Sequence, residues 1–261
     1  MANWTETTAN IAGTKLVLVR GGSGRPLIMF HDELGYPGWM KWNEELAKEC
    51  EIIIPLQPGF GKTPKIEWIR NYRDLGGFYA RVLRELNLDP IDVIGFSAGG
   101  FIAAEMAAAD PKIFSRMVLV APMGLKPAEG EISDIFPLTI RSYLRSTVAD
   151  PTTPEFGKIY GGEMTPEQFE AFEDARTETA RIGWEPYMHN PSLGYLLQGV
   201  KNLPTLLVRG QKDAIVPKGC IMAYQQAIAG AKVAEIPDAG HRPEIENSAE
   251  FVRVVKTCLA S

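Results

Sequence analysis

The stretch VIGFSAGGF, residues 93–101, runs from apolar residues through glycines flanking one serine into a second apolar segment. Such a stretch reads as a buried strand turning sharply into a helix. Glycine fits there because a tight turn needs positive φ or close backbone approach. The same glycines are expected whether Ser97 is a nucleophile or only a small residue at a turn, so the decision rests on the rest of the chain.

Working outward, short apolar runs alternate with helical patterns. KLVLV (15–19) and PLIMF (26–30), separated by the turn-rich RGGSGR, read as two strands joined by a hairpin or tight loop. The amphipathic WMKWNEELAKE then leads to the β-branched run EIIIPL at 51–56. YRDLGGFYARVLRELNL has helical periodicity, IDVIGF is strand-like, AGGFIAAEMAAA is an alanine-rich helix and MVLVAP is a further strand. TLLVRG, CIMAYQQAIAG, KVAEIP and SAEFVRVVKTCLA continue the alternation to the end. Apolar strands alternating with helices predict an α/β fold, a mainly parallel, doubly wound sheet covered on both faces.

The alternation stops between Gly124 and Asn202. That segment is rich in acidic, aromatic and proline residues, and PEQFEAFEDARTETARI opens a helix with Phe169 and Phe172 on one face. The chain is therefore expected to form one domain, with a core of 1–124 and 203–261 and a helical lid inserted at 125–202.

Composition narrows the partners. The 261 residues are 45% hydrophobic, enough for a sizeable core, and the net charge of −5 argues against a nucleic-acid partner. Cys50, Cys220 and Cys258 lack metal-ligand spacing and read as free thiols of a reducing compartment, so no metal and no cofactor is expected. No apolar run reaches spanning length and the N-terminus lacks a signal-like apolar region, so a cytoplasmic protein without a membrane partner is expected. Oligomeric state is not encoded in any readable feature. Gly61-Lys62-Thr63 suggests a phosphate loop, but Leu56 stands where a glycine is required and Pro64 follows where a helix should begin. RGGSGR likewise lacks dinucleotide-binding spacing.

In open α/β sheets, ligands sit beyond the carboxyl ends of the strands. The residues just after the strands are HDELG after PLIMF, Ser97 after IDVIGF, Asp213 after TLLVRG and His241 after KVAEIP. A serine hydroxyl needs a base to take its proton, and His241 is suited to that role. Asp213 would orient the imidazole and stabilise its charged form. Asp238 lies too near His241 along the chain for that part, and VLVAPMG ends without a carboxylate. The amide of Ala98, directly after the nucleophile, is the first expected oxyanion donor.

With these residues in this order, the chain resembles the α/β-hydrolase superfamily along nearly its whole length. GFSAGG resembles that family's nucleophile elbow, LPTLLVRGQKDAIVP its acid-bearing segment and DAGHRPEIE its histidine loop. The resemblance implies a serine hydrolase of esters or lactones, N-acyl homoserine lactones being one substrate class among relatives. It also implies the amide of Glu33 as second oxyanion donor. HDELG departs from the usual His-Gly start of that loop and is similar to the Asn-Ser-Leu-Gly loop of enol-lactone hydrolases. HNPSLGYLLQGVKNLPTLLV is similar to the lid-exit segment of carbon-carbon hydrolases of ring-cleavage diketones, which gives the alternative activity. A non-catalytic ligand-binding protein on the same fold is the other alternative. Epoxide hydrolysis and dehalogenation are disfavoured, because those relatives carry aspartate at the position of Ser97. Phe136, Tyr160, Trp184 and Met188 are candidate pocket residues. His31 is expected to hold backbone, and His189 to be a polar residue of the insertion.

Overall fold

A computed structural model describes residues 3–260. The chain begins with β1 (Trp4–Ile11), β2 (Thr14–Gly22), β3 (Arg25–Phe30), α1 (Lys41–Leu46) and β4 (Cys50–Pro55). It continues through α2 (Tyr72–Glu85), β5 (Ile91–Phe96), α3 (Ala98–Ala109) and β6 (Phe114–Val120). Four helices follow before the next strand: α4 (Ile140–Ser146), α5 (Pro154–Tyr160), α6 (Pro166–Gly183) and α7 (Leu193–Leu197). The last part is β7 (Thr205–Gly210), α8 (Lys218–Ala227), β8 (Lys232–Ile236), α9 (Pro243–Glu246) and α10 (Ser248–Ala260).

The strands form one 8-stranded sheet in the order β1-β2-β4-β3-β5-β6-β7-β8. Only β1 and β2 run antiparallel to their neighbours, and β3 to β8 are parallel. The apolar runs explain this. Every residue of β7 is buried, and so are the first five of β5, as strands with both faces covered by helices require. The chain order reverses between β3 and β5, and such a switch point opens a crevice beyond the strand ends. HDELG and Ser97 emerge on either side of it.

KLVLV and PLIMF are joined by a tight loop, one of the two connections expected, and the hairpin alternative is excluded because β4 lies between them in the sheet. The glycines of RGGSGR allow this. Gly22 and Gly24 have φ of +83° and +120° and pack against the backbone of residues 47–50 at the entrance to β4, where a Cβ would collide. The first strand, WTETTANI, was not anticipated. It is mostly exposed and lacks an apolar face, pairing with β2 along the sheet edge.

Helix α2 buries Tyr72, Leu75, Phe78, Tyr79 and Val82 along a single stripe. Each such side chain contributes about 1.5–3 kcal/mol on full burial. Asn71 caps the helix, accepting from the Asp74 amide at 2.8 Å. Helix α6 starts with Pro166 behind a capping box in which the Thr165 hydroxyl accepts from the Gln168 amide and the Gln168 side chain accepts from the Thr165 amide. Phe172 of this helix packs on Tyr160, with ring centroids 6.3 Å apart, whereas Phe169 remains 53% exposed, so the two do not share a buried face. The α4–α7 segment rests on the loops at the carboxyl ends of the strands. Tyr143 and Thr179 bond Glu33 after β3, the Glu178 side chain fills the space beside Gly59 after β4, and Arg181 donates to the Ile69 carbonyl.

Candidate active site

The elbow after β5 is built from close backbone approaches. Ser97 is held at φ 50° and ψ −110°, a left-handed conformation that costs a non-glycine residue energy. A Cβ on Gly95 would lie 2.5 Å from the Gly99 carbonyl oxygen, and one on Gly99 would collide with the carbonyl oxygens of Phe30 and His31. The glycines are therefore required by the close crossing of α3 over β3 and β5. The Ser97 amide donates to the Val120 carbonyl at 2.8 Å, fastening the turn to β6.

At this elbow, Ser97 Oγ lies 2.9 Å from His241 Nε2. His241 Nδ1 is 3.0 Å from Asp213 Oδ2 on the other side of the ring. The amides of Ile215 and Val216 donate to Asp213 Oδ1 at 2.8 and 2.9 Å, which fixes the carboxylate plane. The three residues predicted from strands β5, β7 and β8 thus converge, and Ser97 and His241 are only 3% and 4% exposed. Burial pulls the His241 pKa down, but Asp213 and then Glu33 outweigh it, and the net effect is a pKa above the ordinary 6.5. In this geometry a serine hydroxyl can pass its proton to an imidazole whose other nitrogen is held by a carboxylate. Ala98 is the first residue of α3, where amides lack intrahelical acceptors and point outward beside the nucleophile.

The loop after β3 adds contacts that the sequence did not disclose. Asp32 stands where the resemblance implies a glycine. Its Oδ1 accepts from the Leu34 amide at 2.9 Å, and its Oδ2 is 2.6 Å from the Arg242 guanidinium. The left-handed residue of the loop is Gly35, at φ 96°. Burial raises the Asp32 pKa to about 6 despite Arg242. Arg242 also lies over the Tyr160 ring, 5.2 Å from its centroid. Beside it, burial raises the Glu244 pKa to about 7 against the pull of Arg242. His31 holds the backbone, as expected. Its Nε2 accepts from the Gln57 amide at 3.0 Å, so Nδ1 carries the proton towards the Asp32 carbonyl at 2.8 Å, and burial lowers its pKa to about 4.

Glu33 is entirely buried. The Tyr143 hydroxyl donates to its Oε1, and the Thr179 hydroxyl donates to its main-chain carbonyl at 2.8 Å. Burial pushes the carboxyl pKa up, but His241, Arg242, Tyr143 and Ser97 together hold it below the ordinary value. Glu33 is therefore ionised at neutral pH. Neither Tyr143 nor Thr179 was legible as a partner, since they lie 110 and 146 residues from Glu33 along the chain.

The predicted pocket residues separate. Tyr160 sits against Arg242 at the edge of the site. Trp184 is 54% exposed and groups with Phe136 and Tyr187 in an outer aromatic cluster, so the enclosed pocket position expected for it is not found. Met188 is fully buried against Gly183 as a packing residue. His189 pairs by backbone with Gly124 at the start of the helical segment. QPGFGKT is a structural turn in which the Thr63 hydroxyl accepts from the Val17 amide at 3.2 Å.

A family model described as alpha/beta hydrolase fold matches residues 16–248. The chain belongs to the alpha/beta hydrolase family. Among its members, the 2-hydroxymuconate semialdehyde hydrolase of Pseudomonas sp. (strain CF600) is 28% identical, over 95% of this chain and 92% of the relative. The pimeloyl-[acyl-carrier protein] methyl ester esterase of Aeromonas hydrophila is 23% identical, over 91% of this chain and 96% of the relative. A crystal structure of a membrane phospholipase A, described as a bacterial virulence factor, superposes with a TM-score of 0.82 at 21% identity. It covers 98% of this chain and 86% of its own, a likeness of fold. Among the described residues, no helix is long and apolar enough to cross a membrane, and no group of three or more His, Cys, Asp or Glu is arranged to hold a metal ion.

Proposed function

We propose that this alpha/beta hydrolase is a serine hydrolase of small carboxylic esters or lactones, working through an acyl-enzyme. The observation that carries this reading is the unbroken line from Ser97 Oγ to His241 Nε2 at 2.9 Å and from His241 Nδ1 to Asp213 Oδ2 at 3.0 Å. Ser97 adds to the substrate carbonyl while His241 takes its proton. The amides of Ala98 and Glu33 hold the oxyanion, a donor of this kind contributing about 2.7–4 kcal/mol in other enzymes. His241 then protonates the leaving oxygen, and water repeats the sequence to release the acid. Residues 125–202 act as a lid. Because Ser97 and His241 are almost wholly covered, substrate reaches them only when α4–α7 shift. The three free thiols favour a reducing, cytoplasmic setting.

A second reading, hydrolysis of a carbon-carbon bond in a ring-cleavage diketone, is supported by the name of the Pseudomonas relative. Replacing Ser97 by alanine should abolish turnover of a short-chain aryl ester and labelling by a fluorophosphonate. Retained turnover would overturn the serine mechanism, and a dienoate assayed alongside the ester separates the two readings.

A further inference from the structure

We propose that the Glu33 side chain selects substrates carrying a hydrogen-bond donor, a hydroxyl or an amine, on the carbon next to the scissile carbonyl. The proposal rests on the serine-hydrolase reading and names the acyl class that the same site takes.

Glu33 is the third residue of HDELG, in the loop after β3, and its carboxylate lies within hydrogen-bonding reach of Ser97, the nucleophile of the proposed mechanism. The carboxylate is fully buried, and the Tyr143 hydroxyl is spent on Oε1. Oε2 has no hydrogen-bond partner. Ser97 is near enough to stabilise the carboxylate, yet its hydroxyl is engaged with His241 at 2.9 Å. A buried ionised oxygen without a donor is costly, and the cost persists until a donor arrives. The polar groups around it include Ser97, Tyr143, His241 and Arg242, with Asp32 and the Tyr72 hydroxyl also within its electrostatic reach. Arg242 is already held by Asp32 at 2.6 Å, and His241 by Asp213 and Ser97.

The placement has a second consequence. A negative charge next to the attacked carbonyl opposes the oxyanion formed on Ser97 addition. A plain acyl group leaves that charge in place. A hydroxyl or ammonium on the adjacent carbon would donate to Oε2 and disperse the charge as the oxyanion forms. An acyl carboxylate there would be repelled. Sites that hold a buried polar group for one substrate group reject analogues lacking it far better than they discriminate by size.

The test compares kcat/KM for ethyl lactate, alanine ethyl ester and ethyl propionate, with acid release followed by titration, in the wild type, Glu33→Gln and Glu33→Leu. The main-chain amide is retained in both variants. In the wild type, one or both donor-bearing esters should exceed ethyl propionate by about 10- to 100-fold, the range for a hydrogen bond to a charged acceptor. Preference for lactate assigns the donor as a hydroxyl, and preference for the alanine ester assigns it as an amine. Glu33→Leu should abolish the ratio while raising turnover of ethyl propionate, and Glu33→Gln should keep part of it through its amide oxygen. A wild type that does not distinguish the three esters overturns the proposal even if the leucine variant fails to fold, and so does a leucine variant that keeps the ratio. Loss of the serine reading is seen separately, as ester turnover that survives Ser97→Ala.

Discussion

Replacing Asp213 by asparagine isolates the role of its charge from that of its shape. Asp213 Oδ1 accepts from the amides of Ile215 and Val216 at 2.8 and 2.9 Å, while Oδ2 faces His241 Nδ1 at 3.0 Å. The asparagine carbonyl takes over the two amides, which leaves its NH2 group against Nδ1. Two donors cannot share that contact, so Nδ1 loses its proton and the ring carries it on Nε2, pointing at Ser97. In that tautomer the imidazole has no lone pair for the serine proton. The equivalent change in a serine protease lowers kcat about 10⁴-fold, or about 5.5 kcal/mol of barrier, and the same size is expected here. The pH profile adds a second signature. Activity of the wild type should fall on the acid side through an apparent pKa above 6.5, because His241 must be neutral to act as base. Without Asp213, burial dominates and the limb moves to lower pH. Fold stability is nearly unaffected in this variant, whereas Asp213→Ala strands two buried amides at about 1–3 kcal/mol each. The assays are aryl-ester hydrolysis against pH and thermal unfolding of both variants. An asparagine variant with more than a tenth of wild-type kcat and an unmoved acid limb would refute the assigned role.

Other outcomes test the frame around the relay. Gly99→Ala should destabilise the protein by about 3 kcal/mol, because the new Cβ meets the carbonyl oxygens of Phe30 and His31 where α3 crosses β3, and an unchanged melting temperature would contradict the close approach. Arg242→Met should cost about 3–5 kcal/mol by leaving Asp32 buried without its partner, and a second change, Asp32→Asn, should recover much of the loss in a double-mutant cycle. Glu244 has its pKa raised from 4.5 to about 7, so its contribution to stability is complete below pH 4.5 and is lost as pH rises through 7. Glu244→Gln should therefore gain up to about 3 kcal/mol over the wild type at pH 8 and almost nothing at pH 4.5; equal differences at both pH values would show that burial of this carboxyl does not control the effect.

The parts of the fold legible in the sequence are those dictated by local pattern. Fully covered parallel strands must be apolar throughout, so EIIIPL, IDVIGF and TLLVRG announced themselves, and the residues following them marked the sheet edge that binds ligands. WTETTANI escaped notice because an exposed edge strand shows no apolar alternation, with Ile11 its only buried residue. The sequence leaves the β2–β3 connection open between a hairpin and a tight loop for a different reason. Strand order is set by which partners are buried together, and a short glycine-rich turn serves a hairpin and a crossing over β4 equally well. For Trp184, aromatic character indicated packing, but whether its ring faced an enclosed pocket or solvent depended on the turn at the end of α6.

The unforeseen part of the site is the charge network behind HDELG, and its logic follows from the missing glycine. With aspartate at position 32, the loop places left-handed backbone at Gly35 and uses the Asp32 carboxylate to bond the Leu34 amide. That choice buries a negative charge, and Arg242 answers it from the residue directly after His241. The pairing thereby ties the loop after β3 to the loop that carries His241. Glu33 is the next residue after Asp32, and its carboxylate also interacts with His241 and Arg242, so its orientation depends on both loops. Shape and charge at this edge are consequently coupled. A substitution at Asp32 or Arg242 is expected to alter substrate preference through Glu33 before it alters the distance from Ser97 to His241, since the latter is set by Asp213 and by the elbow after β5.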